Sequence, residues 1–148
     1  MEDLPAWMAL VRRVAWNFPG LEDEAALREH ERTVTRFLEE GRGLCAVDGD
    51  GIVGVLLFSR RHRMICCLAV APEKRRQGIG GALLTEALAQ LGKDAPVTVT
   101  TFRAEDDWGT APRALYERFG FVPEALVEEN GYPCQRYVRA ADAPGIQD

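Results

Sequence analysis

One stretch of the sequence combines arginines and glycines in a pattern suited to binding an anion. Arg75, Arg76 and Gln77 precede the run Gly78-Ile79-Gly80-Gly81, with an apolar segment before it and apolar residues at helical spacing after it. The first N–H groups of a helix lack intrahelical acceptors and carry a partial positive charge. Glycines let a phosphate approach that backbone closely, and arginines add charge beside it. The pattern therefore predicts an anion site, most naturally for a pyrophosphate.

Two other glycine-rich phosphate motifs fit this turn less well. A Walker loop ends in Gly-Lys-Ser or Gly-Lys-Thr, which is absent here. The dinucleotide fingerprint requires a small residue three positions after Gly80, where this sequence has Leu83. The strand before the turn, the two arginines and the helix after it favour a ligand site over a purely structural turn.

The elements that must position this turn follow from the apolar periodicity. Two amphipathic helices are expected first, one capped by Asp3 and one from about Glu22 to Glu40. Three strands then form an antiparallel meander, and a helix follows the glycine-rich turn. We also expect a strand over residues 96–103, a short helix over 112–119 and two final strands. This order predicts an α/β fold with a mixed sheet and helices on both faces, as one domain over residues 1–140 with a flexible tail over 141–148. The strands predicted for the meander are residues 44–47, 52–59 and 64–70.

Composition narrows the classes of function. The chain has 148 residues and a formal net charge of −5, which argues against a general nucleic-acid or membrane-surface binder. No signal peptide and no apolar stretch near the ~20 residues of a membrane span is visible, so a cytoplasmic location is predicted. The four cysteines form no CxxC pair, so we predict no metal site and interpret them as small buried hydrophobes. They are Cys45, Cys66, Cys67 and Cys134.

Three segments together resemble the GNAT family of acetyltransferases. The run from Arg75 to Gly80 is similar to the family's acetyl-CoA motif, Arg/Gln-x-x-Gly-x-Gly/Ala. Leu68-Ala69-Val70-x-Pro72 matches the strand that pairs with the pantetheine arm, and residues 114–121 resemble a second signature with a tyrosine and then Gly-Phe. The resemblance covers about residues 46–138. It implies a mostly antiparallel central sheet, although the family's first strand has no counterpart in this sequence.

The resemblance also implies an activity and its residues. The family transfers an acetyl group from acetyl-CoA, without a metal, to an amine that attacks directly through a tetrahedral intermediate. The acceptor would be a primary amine on a small molecule or peptide. Tyr116 matches the general acid that protonates the CoA thiolate, although its spacing also suits simple packing. The cofactor-binding residues implied are the strand Leu68, Ala69 and Val70 and the turn Arg75, Arg76, Gln77, Gly78, Ile79, Gly80 and Gly81.

The sequence departs from the family where some relatives carry a glutamate base, because Thr101 stands there. One hypothesis is that a carboxylate of the following loop, Glu105, Asp106 or Asp107, takes the proton, while a solvated acidic loop is an equal alternative. Trp16, Phe18 and Glu22 are candidates for the acceptor side, with Trp108 and Tyr132-Pro133 as weaker ones. Trp7 is expected in the core. The missing first strand would leave an edge strand unpaired, which makes a homodimer possible.

Two alternatives to acetyl transfer stay open at this point. One is a CoA-responsive binding module without turnover, which the missing glutamate allows and Tyr116 counts against. The other is an acyltransferase that uses a longer acyl-CoA, which only the depth of the pocket decides. The acceptor is left open among a polyamine, an amino acid derivative, an antibiotic and a protein N-terminus.

Overall fold

The computed structural model describes residues 4–14, 23–49, 51–75, 77–102, 110–129 and 132–141, which form both helices and strands. The third strand has the predicted bounds, and the other predicted elements agree to within a few residues. Asp3 and Glu22 lie outside the described residues, and Asp23 caps the second helix by accepting a hydrogen bond from the Ala26 N–H at 2.7 Å. The helices are α1 (Leu4–Val14), α2 (Glu24–Glu39), α3 (Ile79–Leu91) and α4 (Thr110–Arg118). The strands are β1 (Gly43–Asp48), β2 (Gly51–Ser59), β3 (Met64–Val70), β4 (Val97–Phe102), β5 (Phe121–Glu129) and β6 (Tyr132–Arg139).

The strands form a six-stranded sheet in the order β1-β2-β3-β4-β6-β5. β1, β2 and β3 form the predicted antiparallel meander, and β4, β6 and β5 form a second antiparallel group. Only β3 and β4 run parallel to each other. The predicted mixed, mostly antiparallel sheet is thereby confirmed. The described residues contain no strand ahead of α1, and β1 lies at one edge of the sheet.

Helices cover both faces of the sheet, and each face has its own hydrophobic core. The α1/α2 core contains the buried residues of these two helices together with Val55, Leu57 and Ala69. Trp7 belongs to it and is 1% exposed, as predicted. The α3/α4 core contains Leu56, Phe58 and the buried residues of α3 and α4. β2 therefore contributes alternate side chains to both cores, as expected for a central strand with both faces buried. None of the described helices is long and apolar enough to cross a lipid bilayer.

Arg63, in the turn between β2 and β3, connects three parts of the fold. Its backbone has a left-handed φ of 49°, and its carbonyl accepts a hydrogen bond from the Thr98 N–H at 3.0 Å. Its guanidinium donates to the carbonyls of Leu91, Gly92, Ala95 and Pro96 at 2.7–3.2 Å. The positive charge also complements the C-terminal end of the α3 dipole. One side chain thus fixes the end of α3 and the start of β4 beside β3.

We predict that Arg63→Ala lowers the free energy of unfolding by about 2–4 kcal/mol, because four carbonyls lose a charged donor. Urea denaturation followed by circular dichroism measures this loss. Arg61→Ala is the matched control in the same turn, where the side chain is exposed, and we expect it to stay within about 0.5 kcal/mol of the parent. Equal losses in the two variants would contradict the role given to the Arg63 guanidinium.

Candidate active site

The central feature of the site is an opening in the middle of the sheet. β3 and β4 pair only at Met64–Thr98 and Ile65–Val99, at the start of both strands. On its other side β3 stays paired with β2 as far as Val70. The two strands therefore separate after Ile65 and Val99. We call the space between residues 67–70 of β3 and residues 100–102 of β4 the β3/β4 opening.

A bulge in β3 marks the point of separation. Leu57 pairs with Cys67, whereas the next β2 residue, Phe58, pairs with Ile65, so Cys66 is the extra residue. A β-bulge bends its strand and increases the local twist. Because the bulge directly follows the last residue paired with β4, it accounts for the divergence of β3 from β4.

Backbone donors of β3 face this opening. The Ala71 N–H donates to the Val53 carbonyl on β2 at 2.8 Å. Because N–H groups along a strand alternate between its two neighbours, those of Leu68 and Val70 point away from β2. β4 no longer pairs with β3 at this level. The strand therefore offers two aligned N–H groups to a ligand with carbonyl acceptors.

The N-terminus of α3 supplies a second set of donors. Gly78 is its N-cap, with a φ of 79°, and apart from its chain neighbours and the backbone of α3 no described atom lies within 4 Å of the place where a Cβ would stand. The first intrahelical hydrogen bond is the one from the Ala82 N–H to the Gly78 carbonyl, at 2.9 Å. The N–H groups of Ile79, Gly80 and Gly81 thus have no intrahelical acceptor. This end of α3 has the free amides and open space that an anion requires.

Close packing places the start of α3 against the end of β3. A Cβ at Gly80 would lie 3.8 Å from Val70 Cγ2 and 3.3 Å from Leu115 Cδ2 on α4. A Cβ at Gly54 on β2 would lie only 2.7 Å from Ile79 Cγ2. Gly54 therefore permits α3 to approach the sheet, a role that sequence reasoning missed, although a glycine inside a strand is its usual signal. The β3 donors and the α3 donors consequently form one continuous surface.

Two ion pairs hold the loop that joins β3 to α3. This loop begins with a short 3-10 helix, Pro72–Lys74. Arg13 of α1 donates to Glu73 at 2.7 Å, and this hydrogen bond lowers the pKa of Glu73. Lys74 pairs with Asp48 at the end of β1 at 3.0 Å. Arg75 and Gln77 are exposed beside the α3 N-terminus, and Arg76 lies outside the described residues.

Tyr116 of α4 reaches the same region from the α3/α4 core. Its side chain is 5% exposed, and its ring meets that of Phe121 edge-on with centroids 5.7 Å apart. Burial raises the pKa of the Tyr116 hydroxyl above its ordinary value, and the charge that Cys67 would carry adds to this shift. Leu68 of β3 packs against the same core, which places Tyr116 on the α3/α4 side of β3. A buried phenol with a raised pKa stays protonated at neutral pH.

The cysteines correct one interpretation of the sequence. Cys134 is buried, but Cys66 is exposed, because the bulge takes it out of the regular alternation of β3. Cys67 packs against the α1/α2 core. Burial raises the pKa of the Cys67 thiol to about 12, and Cys66 adds to the shift. A thiol with this pKa is almost entirely protonated at neutral pH and is a poor nucleophile.

The structure places Val70 against Gly80 at the start of α3 and Leu68 against the core that contains Tyr116, so the described residues predicted on β3, α3 and α4 pack on one another. Thr101 lies on β4, paired with Gln135 of β6. Among the described residues, no three His, Cys, Asp or Glu side chains are grouped so that they could hold a metal ion. The other acceptor-side and proton-acceptor candidates, Trp16, Phe18, Glu22, Glu105, Asp106, Asp107 and Trp108, lie outside the described residues.

Comparison with known protein families gives one clear match. Residues 39–123 match the model of the acetyltransferase (GNAT) domain. The matched segment contains β3, the glycine-rich turn, α3 and Tyr116. It therefore includes both walls of the opening and the proposed proton donor.

Individual proteins agree with this match. A [ribosomal protein bS18]-alanine N-acetyltransferase from Escherichia coli is 33% identical over 132 residues, which is 88% of this chain and 82% of that protein. The crystal structure of the ribosomal-protein-S18-alanine N-acetyltransferase from Escherichia coli superposes with a TM-score of 0.68 and 22% identity, covering 98% of this chain and 92% of that one. A phosphinothricin acetyltransferase from Sinorhizobium meliloti, solved in complex with acetyl-CoA, has a TM-score of 0.71 and 19% identity, covering 95% and 84%.

We predict that iodoacetamide at pH 8 alkylates Cys66 well before Cys67. Cys66 is exposed, whereas the raised pKa of Cys67 leaves very little thiolate at that pH. Mass spectrometry of tryptic peptides, with fragmentation between the two residues, measures both rates. Alkylation of Cys67 as fast as that of Cys66 would contradict the desolvated environment of the Cys67 thiol.

Proposed function

The chain belongs to the GNAT family of acetyltransferases, and on that premise we propose that it transfers the acetyl group of acetyl-CoA to a primary amine of a small molecule or peptide. We propose direct attack of the neutral amine on the thioester, through a tetrahedral intermediate. The observation that carries this proposal is the packing of the α3 N-terminus and of the core that contains Tyr116 against β3, where β3 has separated from β4.

Two sets of amides would bind the donor substrate. The first N–H groups of α3, which lack intrahelical acceptors, and the glycine surface around Gly78 suit a pyrophosphate. Arg75, Arg76 and Gln77 would contribute to the same site, as the resemblance implies. The N–H groups of Leu68 and Val70 suit the amide carbonyls of a pantetheine arm. Gly80 lies against Val70, which makes the two sets continuous. An extended molecule with a phosphate end and an amide-containing arm matches this arrangement.

Tyr116 would act as the general acid. The thiolate that leaves after amine attack requires a proton, and a phenol is protonated at neutral pH because even its ordinary pKa is about 10. Burial raises the pKa of the Cys67 thiol to about 12, so this thiol would be neutral at pH 7 and would not form an acyl-enzyme. This supports direct transfer to the amine.

The Leu68 N–H would stabilise the negative charge that develops on the thioester oxygen. A backbone donor held in a strand needs no rearrangement at the moment of reaction, which is the condition for effective oxyanion stabilisation. Leu68 also packs against the α3/α4 core that contains Tyr116, so the oxyanion site on β3 would face the same side of the sheet as the proton donor.

The acceptor class is a proposal that the relatives inform. The Escherichia coli relative is a [ribosomal protein bS18]-alanine N-acetyltransferase, so a peptide or protein amine is one candidate acceptor for this chain. Removal of the amine proton by Glu105, Asp106 or Asp107 stays a prediction. The cytoplasmic location, the homodimer and the single domain over residues 1–140 also stay predictions.

We predict that Gly78→Ala weakens acetyl-CoA binding at least tenfold, because a methyl group there enters the open space at the α3 N-terminus. Isothermal titration measures the Kd. Gly92→Ala is the matched control, because Gly92 has a φ of 80° at the other end of α3 and an equally open Cβ position. Gly78→Ala should lose about 1 kcal/mol of stability from backbone strain, and Gly92→Ala as much or more, because its ψ of 175° lies in a region nearly restricted to glycine. Only Gly78→Ala should lose affinity for acetyl-CoA. A parent protein that does not bind acetyl-CoA would overturn the proposed function.

We predict that Tyr116→Phe lowers kcat by about 100-fold or more, the usual contribution of a positioned general acid. Thiol release with 5,5′-dithiobis(2-nitrobenzoate) as reporter measures the rate. The pKa of Tyr116 lies above its ordinary value of about 10, so the acid is present at lower pH and lost only above the raised pKa. The parent kcat should therefore not fall between about pH 7 and 9.5.

Tyr137→Phe is the control for this substitution, because Tyr137 lies 2% exposed in the same α3/α4 core but on β6. We expect its kcat to stay within about threefold of the parent. Equal kcat in Tyr116→Phe and the parent would assign Tyr116 to packing alone.

A further inference from the structure

The sheet has a face beside the β3/β4 opening that carries exposed side chains. α1 and α2 pack against β1, β2 and β3. The continuation of this face over β4, β6 and β5 includes Val122, which is 59% exposed. It lies opposite the face on which α3 and α4 pack. A molecule that reaches the opening from this side does not cross the α3 N-terminus.

The strand register places an arginine on this face next to the opening. Tyr137 lies in the α3/α4 core, and Arg139 Nε donates to the Phe119 carbonyl at 2.8 Å, so both point toward α4. Because side chains alternate along a strand, Arg136 points to the other face. On β4, Val97 and Val99 lie in the α3/α4 core, so Thr100 shares the face of Arg136.

Arg136 is directly opposite Thr100 in the pairing of β4 with β6. Thr100 is the first β4 residue beyond the last position paired with β3. Neighbouring strands lie about 4.8 Å apart, so the Arg136 backbone is about one strand spacing from the rim of the opening. A guanidinium on a long side chain covers that distance.

The ion pair between Arg136 and Glu124 is weak enough for another carboxylate to take the place of Glu124. Arg136 Nη1 lies 3.7 Å from Glu124 Oε1, and the side chains are 43% and 51% exposed. An ion pair at this distance and exposure contributes little to stability. The carboxylate of a ligand with better geometry can replace Glu124, because a guanidinium binds a carboxylate through two parallel hydrogen bonds.

We propose that Arg136 recognises a carboxylate of the acceptor, so that the acceptor is an amine that carries a carboxylate close to its nitrogen. This inference rests on the proposed function and deepens it. The carboxylate binds Arg136 on the open face, while the amine extends over Thr100 into the opening toward Leu68. Two sources share this chemistry: a free amino acid, and a peptide with an acidic residue next to its N-terminus.

The test compares acceptors that differ only in the carboxylate. One arm uses free amino acids against their carboxamides. The other uses amidated tripeptides with Asp or Glu at the second position against Asn or Gln. Acetyl-CoA binding is measured by titration for every protein, and kcat/KM for each acceptor by thiol release. The proteins are the parent, Arg136→Ala, Arg136→Lys and the control Glu124→Gln.

For the parent we expect kcat/KM to be at least about tenfold higher with the acid than with its amide in one arm, which identifies the source. Arg136→Ala should reduce this ratio at least about tenfold, mainly through KM. Arg136→Lys should give an intermediate ratio, because lysine keeps the positive charge but cannot form the two parallel hydrogen bonds of a guanidinium. Glu124→Gln should keep the ratio or increase it. Acetyl-CoA affinity should be the same in all four proteins.

A parent that binds acetyl-CoA but prefers the amides, or acetylates none of the acids, overturns this inference and leaves the proposed function in place. An unchanged ratio in Arg136→Ala also overturns it. A parent that does not bind acetyl-CoA overturns the proposed function itself, so the two failures are distinguishable.

Discussion

β3 and β4 pair at only two positions, and the candidate site depends on that early separation. Arg63 determines where the pairing starts, because its carbonyl binds the Thr98 N–H while its guanidinium holds the chain that leads into β4. The bulge at Cys66 determines where it ends. The strands are therefore paired between Arg63 and the bulge, and they diverge beyond the bulge. As a result, the N–H groups of Leu68 and Val70, which a continuous sheet would use internally, have no partner on β4.

An opening in a sheet removes hydrogen bonds, so other contacts must hold its two halves together. The α3/α4 core does this, because it includes Phe58 and Ile65 from one half and Val97, Val99 and Tyr137 from the other. Its helices also carry the functional groups, the α3 N-terminus and Tyr116. The core that bridges the opening therefore also positions the donors around it. Gly54 makes this possible, because it lets α3 pack close to β2.

The parts of the site that are local in sequence could be predicted from the sequence. The bounds of β3 follow from seven apolar residues between Arg63 and Ala71-Pro72, and the α3 N-terminus follows from its glycines. The exposure of Cys66 could not be predicted, because the bulge depends on pairing with β2. The contacts of Arg63 join residues about thirty positions apart, and no local pattern indicates them. The sequence pattern does not indicate a role for Arg136 either, because the position of Arg136 beside the opening depends on β6 being the neighbour of β4.

The two faces of the sheet can change independently of each other. Tyr116 and the buried residues of α3 lie on one side, and the face of β4 and β6 that carries Thr100 and Arg136 lies on the other. Side chains on the second surface contribute neither to the α3/α4 core nor to the glycine-rich turn, so substitutions there leave both intact. Natural selection can therefore change residues such as Thr98, Thr100 and Arg136 one at a time while the other half of the reaction is preserved. A framework of this kind can diversify its acceptors through small steps without passing through unfolded or inactive ancestors.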